Sequence, residues 1–151
     1  MRTAIFPGSF DPITKGHESI VRRALPLFDK VIISVGVNTT KQCCFPLEKR
    51  IEWIKKVFSK EKNVTVETYS GLTVDFCRKM GASFIIRGLR TSADFEFERA
   101  IAQMNRTMAP EIETLFLVSL PEFAAINSSI VREIYRSGGD IGTFIPTGIN
   151  L

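Results

Sequence analysis

The sequence predicts an α/β fold, Rossmann-like in its doubly wound order, with five parallel strands in one sheet and a single domain over residues 1–151. Three observations carry this prediction. Five short runs are rich in β-branched and aromatic residues, segments between them place apolar residues three and four apart, and capping residues stand at several junctions. Strands with intervening helices make a parallel sheet covered on both faces.

Thr3-Ala4-Ile5-Phe6 is the first strand, broken by the turn residues Pro7-Gly8-Ser9-Phe10-Asp11-Pro12. A helical pattern follows at about 17–28, then a second strand at 31–37. The helix at about 47–59 has the clearest apolar stripe, formed by Leu47, Ile51, Ile54, Val57 and Phe58. A third strand lies at 64–68 and a third helix at 72–80, with Gly81 just past its end. After the fourth strand at 83–87, Thr91-Ser92-Ala93-Asp94 forms a capping box opening the fourth helix at 92–108. The fifth strand is 114–118. Asn127-Ser128-Ser129 opens a further short helix, which Gly138-Gly139 ends. The tail from Asp140 to Leu151 contains Pro146 and two glycines and is expected to be a loop over the surface.

A chain of 151 residues can bury roughly 70% of its unfolded surface, so its core needs no disulfide or metal staple. Lys and Arg total 20 against 16 Asp and Glu, a net +4. That balance suits a polyphosphate or other small anion and is too mild to demand a nucleic acid. Three cysteines, with Cys43 and Cys44 adjacent, give no disulfide framework and point to the reducing cytoplasm. A single histidine and the lack of Cys-x-x-Cys spacing argue against a structural zinc site. The apolar stretch before Pro7 is too short for a signal-peptide core or a membrane span, so the expectation is a soluble, unprocessed chain with no membrane partner.

The sequence has neither Gly-x-Gly-x-x-Gly after its first strand nor a Gly-x-x-x-x-Gly-Lys-Ser/Thr segment. Instead the first strand leads through Gly8-Ser9-Phe10-Asp11-Pro12 to Thr14-Lys15-Gly16-His17. In an open parallel sheet the crevice beyond the strands' carboxyl ends binds ligands, and the first strand-to-helix turn is its usual phosphate site. Gly16 lets backbone approach a bulky ligand, and His17 in the first helical turn can donate a hydrogen bond to a phosphoryl oxygen. Lys41 and Arg87 lie at the carboxyl ends of predicted strands on the same edge, where converging cations would repel one another without an anion.

The segment from Phe6 to His17 resembles the signature of nucleotidyltransferases that carry a Thr/His-x-Gly-His motif. Three further blocks narrow the resemblance: Ile86-Arg87-Gly88-Leu89-Arg90 with Asp94-Phe95-Glu96-Phe97-Glu98, then Met104-Asn105-Arg106, then Ile126-Asn127-Ser128-Ser129-Ile130-Val131-Arg132. Together they resemble the phosphopantetheine adenylyltransferase family, from Ala4 to about Pro146. The resemblance implies transfer of AMP from Mg-ATP to 4'-phosphopantetheine, giving dephospho-coenzyme A and pyrophosphate. It also implies a homohexamer and feedback by coenzyme A.

By position, the resemblance makes His17 the stabiliser of charge on the α-phosphate, and Lys41 and Arg87 the holders of the acceptor phosphate, with Thr73 on that substrate's arm. Ser9 would hold a phosphate oxygen between the two substrates, and Phe10 would line the nucleotide side. Gly88, Leu89, Arg90 and Glu98 would frame the nucleotide. Phe123, Ala124, Ala125, Ile126, Asn127, Ser128 and Ser129 would cover the triphosphate, the N–H groups at Ser128 and Ser129 receiving the leaving pyrophosphate. Asn127 stands where the family has serine, which keeps a capping side chain. Mg²⁺ is expected to come with ATP, not in a protein cage.

Several of these residues have simpler readings. Glu98 could pair with Arg99, Arg90 or solvent, and Ser128 and Ser129 could only cap a helix. Trp53 and the phenylalanines read as core or subunit-interface residues, and Cys43 and Cys44 as passive thiols near the acceptor site. The competing functions are another nucleotidyltransferase with a different acceptor, and a non-catalytic RNA-binding relative. The Arg87 to Glu98 block opposes the first, and the absence of a long basic face opposes the second.

Overall fold

The apolar runs of the sequence form one five-stranded sheet in the computed structural model, which describes residues 1–38 and 40–151 and leaves Thr39 outside the described residues. The elements in chain order are β1 (Thr3–Gly8), α1 (Lys15–Ala24), β2 (Lys30–Gly36), α2 (Leu47–Val57), β3 (Val64–Tyr69), α3 (Thr73–Met80), β4 (Phe84–Leu89), α4 (Ser92–Met108), β5 (Glu113–Val118) and α5 (Ser128–Arg136). The strands lie in the order β3-β2-β1-β4-β5, all parallel. The chain winds outward from β1 to β3, returns to β4 and continues the other way. A crevice therefore opens beyond the carboxyl ends of β1 and β4.

The doubly wound class follows the sequence prediction, and some boundaries shift. α1 stops at Ala24 because Pro26 cannot continue it, and Leu25–Leu27 is a tighter 3-10 turn. The capping box expected at Thr91 is half formed. Thr91 Oγ1 accepts the Asp94 N–H at 3.2 Å, but the Asp94 carboxylate turns back to Arg90.

Successive strand residues face opposite ways, so β1 and β2 feed two cores. Ala4, Phe6, Val31, Ile33 and Val35 pack with residues of α1, α2 and α5, including Trp53, which is therefore core and meets Phe45 edge-on at 5.1 Å. Ile5, Ile32 and Ile85 pack with Val74, Phe76 and Cys77 of α3. The tail does not merely cross the surface. Ile141, Ile145 and Ile149 are buried in the first core, and the Lys15 N–H donates to the Phe144 carbonyl at 2.9 Å, so regularly spaced isoleucines anchor a segment without regular structure. On the other face α4 contributes one buried residue, and it is Glu98.

Candidate active site

The crevice begins where two neighbouring strands part. β1 stays paired with β2 from Thr3 to Gly8, but its pairing with β4 runs only through Ala4 against Phe84 and Ile5 against Ile85. Pro7 has no N–H to offer a ladder. The Arg87 side chain occupies this gap, its Nη1 donating to the Pro7 carbonyl at 2.8 Å. Its Nε and Nη2 donate to the two carboxylate oxygens of Glu98 at 2.9 and 2.6 Å, a bidentate pair in which the glutamate is nearly buried. Two expectations are corrected here. Glu98 pairs with Arg87, not with Arg99, Arg90 or solvent, and Arg87 carries a resident counter-ion and sits within β4, two residues short of its end at Leu89.

His17 is the third residue of α1 and forms a reciprocal cap with Thr14. The His17 N–H donates to Thr14 Oγ1 at 3.3 Å, while His17 Nδ1 accepts the Thr14 backbone N–H at 3.0 Å. An Nδ1 that accepts an N–H carries no proton, so in the neutral ring the proton is on Nε2. Burial, then the positive charges of Arg87 and Arg90, lower the pKa from 6.5 to about 4. His17 thus faces the crevice as a neutral N–H donor. Phe10 supports it edge-on at 5.0 Å between ring centroids, from a backbone held at φ +48°, a region aromatic residues seldom adopt. Gly8 is needed beneath that ring, because a Cβ there would lie 3.1 Å from two Phe10 ring carbons.

Ser9 lies on the loop after β1, and its Oγ accepts from Lys41 Nζ at 3.3 Å. Lys41 stands in the loop beyond β2 and not at the strand's end, which is Gly36. Two buried charges tie these loops together. The Asp11 carboxylate accepts the N–H groups of Cys44 and Phe45 at 2.8 and 2.9 Å. Arg50 of α2 donates to the Phe45 carbonyl at 3.1 Å and the Ser9 carbonyl at 2.7 Å.

Two chambers, of about 600 and 380 Å³, meet at a shared wall of Pro7, Gly8, Ser9, Lys41, Arg87 and Glu98. The larger extends past Thr73 and Tyr69, whose hydroxyls are 3.1 Å apart, to α4 at Ile101 and Asn105. The smaller contains Phe10, Gly16, His17, Gly88, Arg90 and the Phe123, Ile126, Asn127, Ser128 and Ser129 side of the crevice. Cys43 and Cys44 border the same loop as Lys41, whereas Cys77 is buried in the second core, where burial pushes its thiol up to about 12.

A model of the cytidylyltransferase-like family matches residues 5–134. The phosphopantetheine adenylyltransferase of Flavobacterium psychrophilum is 52% identical over 151 residues, with 100% of this chain and 99% of that protein aligned. Those of Flavobacterium johnsoniae and Bacteroides fragilis are 50% and 48% identical, covering 100% of this chain and 99% and 100% of theirs. The chain belongs to the phosphopantetheine adenylyltransferase family. Its fold is shared with a putative nicotinate-nucleotide adenylyltransferase from Vibrio parahaemolyticus, with a TM-score of 0.72 at 22% identity over 97% of this chain and 96% of that one. It is also shared with a bifunctional NMN adenylyltransferase/ADP ribose pyrophosphatase from Francisella tularensis, with a TM-score of 0.74 at 18% identity over 95% of this chain and 44% of that one.

Most residues that the phosphopantetheine adenylyltransferase resemblance singled out converge on the two chambers. Leu89, Ala124 and Ala125 are outside both linings. For Leu89 the reason is strand alternation, which brings Gly88 and Arg90 to the chamber and turns the residue between them away. The Ser129 N–H, expected to await pyrophosphate, instead donates to Asn127 Oδ1 at 2.8 Å, as does the Ile130 N–H at 3.4 Å. Asp11, Arg50 and Arg132 were not expected at the site. For Arg132 a signal existed in its position three residues after Ser129, one helical turn on, whereas the roles of Asp11 and Arg50 arise from contacts between distant loops.

Proposed function

We propose that the chain transfers AMP from ATP to the phosphate of 4'-phosphopantetheine, forming dephospho-coenzyme A and pyrophosphate. The observation that carries this reading is the meeting of two chambers at Ser9, Lys41 and Arg87, with a neutral His17 on one side. In this reading the nucleotide takes the smaller chamber, from Phe10 and Gly88 to Ser129, and the acceptor the larger, along Thr73. An acceptor phosphate oxygen attacks the α-phosphorus, the bond to the β-phosphate oxygen breaks, and that electron pair leaves with pyrophosphate. The acceptor is already an anion, so no protein base is required. Catalysis rests on in-line positioning and on stabilising charge at the α-phosphate, where the His17 Nε2–H donates. The bidentate Arg87–Glu98 pair opens as the acceptor phosphate competes for the guanidinium, which frees Glu98 for the nucleotide.

Mg²⁺ accompanies ATP and offsets charge on its phosphates. In support, carboxylates lining the crevice are already engaged: Asp11 by backbone N–H groups, Asp94 by Arg90 and Glu98 by Arg87. That donor set suits a metal held by phosphate oxygens and water. Coenzyme A, which shares parts with both substrates, is the expected feedback ligand across the two chambers. The protein works in the cytoplasm as a homohexamer without nucleic-acid or membrane partners. The apolar outer face of α4 supports self-association. Among the described residues no helix is long and apolar enough to cross a membrane.

Pyrophosphate release from Mg-ATP, measured with 4'-phosphopantetheine and with unphosphorylated pantetheine, tests this function. Release that requires the acceptor phosphate and falls by about two or more orders of magnitude in His17→Ala is expected. No release by folded wild-type protein would sink the reading.

A further inference from the structure

We propose that Tyr69 is a positioning residue for the acceptor, a role that rests on the adenylyltransferase reading and extends it to the neutral part of that substrate. Tyr69 donates to the Thr73 hydroxyl and so aims that hydroxyl's own proton at an amide carbonyl of the phosphopantetheine arm. The charged residues lining the larger chamber, Lys41, Arg87 and Glu98, all stand at the wall it shares with the smaller one. Beyond that wall the lining is neutral among the described residues. The acceptor has the same division, an anionic phosphate at one end and behind it an uncharged arm with two secondary amides.

The local chain brings the two hydroxyls together. Tyr69 is the last residue of β3 and Thr73 the first of α3, and Gly71, at φ +81°, permits the reversal between them. Tyr69 is fixed twice: its ring stacks on Phe76 with centroids 4.8 Å apart and planes 20° from parallel, and its carbonyl accepts the Val37 N–H at 2.8 Å. Phenylalanine would keep both contacts, so the hydroxyl is what tyrosine adds. That hydroxyl lies 3.1 Å from Thr73 Oγ1. A phenol is a stronger donor than an aliphatic alcohol and a poorer acceptor, so the proton between them comes from Tyr69. Thr73 then keeps its own proton for another partner. Among the described residues Thr73 Oγ1 makes no second hydrogen bond, and both residues line the chamber, so the free O–H serves a ligand there. Linked hydrogen bonds in a half-buried site polarise one another, so the Tyr69 contact also strengthens the one that Thr73 makes. An amide carbonyl is the strongest neutral acceptor that the arm offers.

Steady-state kinetics of wild type, Tyr69→Phe, Thr73→Val and the double variant test this role, with Mg-ATP and 4'-phosphopantetheine each varied in turn. Tyr69→Phe is expected to raise the KM for phosphopantetheine about fivefold, the scale of one hydrogen bond, with kcat and the KM for ATP within about twofold of wild type. Thr73→Val is expected to raise the same KM at least as much. Because Tyr69 acts through Thr73, removing its hydroxyl from Thr73→Val should change that KM by less than about twofold, whereas a packing role would give the same loss in both backgrounds. In Thr73→Ser, which retains the hydroxyl, the full dependence on Tyr69 should return. Should the valine variant not fold, Thr73→Ala takes its place in the cycle. An unchanged acceptor KM in Tyr69→Phe, a loss of kcat in place of KM, or additive losses in the cycle overturns the role of Tyr69 and leaves the adenylyltransferase reading standing. Folded wild-type protein that releases no pyrophosphate from Mg-ATP with phosphopantetheine overturns that reading and the role of Tyr69 with it.

Discussion

His17 has its tautomer set by a backbone amide. The Thr14 N–H needs an acceptor at the start of α1, and by supplying Nδ1 the ring keeps its proton on Nε2, toward the crevice. Burial with Arg87 and Arg90 nearby then lowers its pKa to about 4. The unfolded chain takes up that proton near pH 6.5 and the folded protein only near 4, so this contribution to stability is whole above 6.5 and is lost as pH falls through that window. His17 is the only histidine in the chain, so the imidazole C–H resonances report this residue alone. Their titration in the free protein is expected to have its midpoint near 4, and kcat should show no inflection near 6.5. A midpoint at the ordinary histidine value would show that burial and the two arginines do not hold the ring neutral.

At the scale of elements, the site is made by loops that strands deliver and buried side chains then lock. Phe45 is held from both sides, its N–H by Asp11 and its carbonyl by Arg50, and Arg50 also holds Ser9. The Lys41 loop and the Ser9 loop are therefore positioned as a unit. Asp11→Asn replaces an acceptor oxygen by an N–H₂ facing backbone donors and is expected to cost roughly 1–3 kcal/mol. It should also speed amide hydrogen exchange at Cys44 and Phe45 and raise the KM for phosphopantetheine more than that for ATP. Unchanged exchange at both amides would remove Asp11 from this role. The five strands, the helices and the His17 turn are legible in the sequence because they rest on local periodicity and turn chemistry. The pairing of Glu98 with Arg87, the buried Ile141, Ile145 and Ile149, and the Asp11 and Arg50 ties are not, because each depends on which distant segments the sheet order brings together.

For the molecule as a whole, the sheet's two faces are unequally covered. On one side α1, α2, α5 and the tail complete a core, while on the other α3 does so and α4 leaves most of its apolar residues outside. Phe97, Ile101, Met104 and Met108 form a stripe at helical spacing, with Phe97 68% and Met104 65% exposed. An exposed apolar stripe of this kind suits an interaction surface, and in the proposed assembly it is the face that a second copy would cover. The same helix presents Glu98 to Arg87 and lines the acceptor chamber with Ile101, Ala102 and Asn105, so its position sets the shape of the site. Covering the stripe by a second copy would hold α4 in place, which links assembly to acceptor binding. The double substitution Phe97→Glu and Met104→Glu is expected to shift the sedimentation mass toward the monomer while the circular dichroism spectrum is preserved. The KM for phosphopantetheine should rise in step with dissociation, and the His17 titration, set first by burial and then by Arg87 and Arg90, should stay near 4. A wild-type monomer, or a variant of unchanged mass, would refute the assembly. A monomeric variant with unchanged acceptor KM would separate assembly from the site.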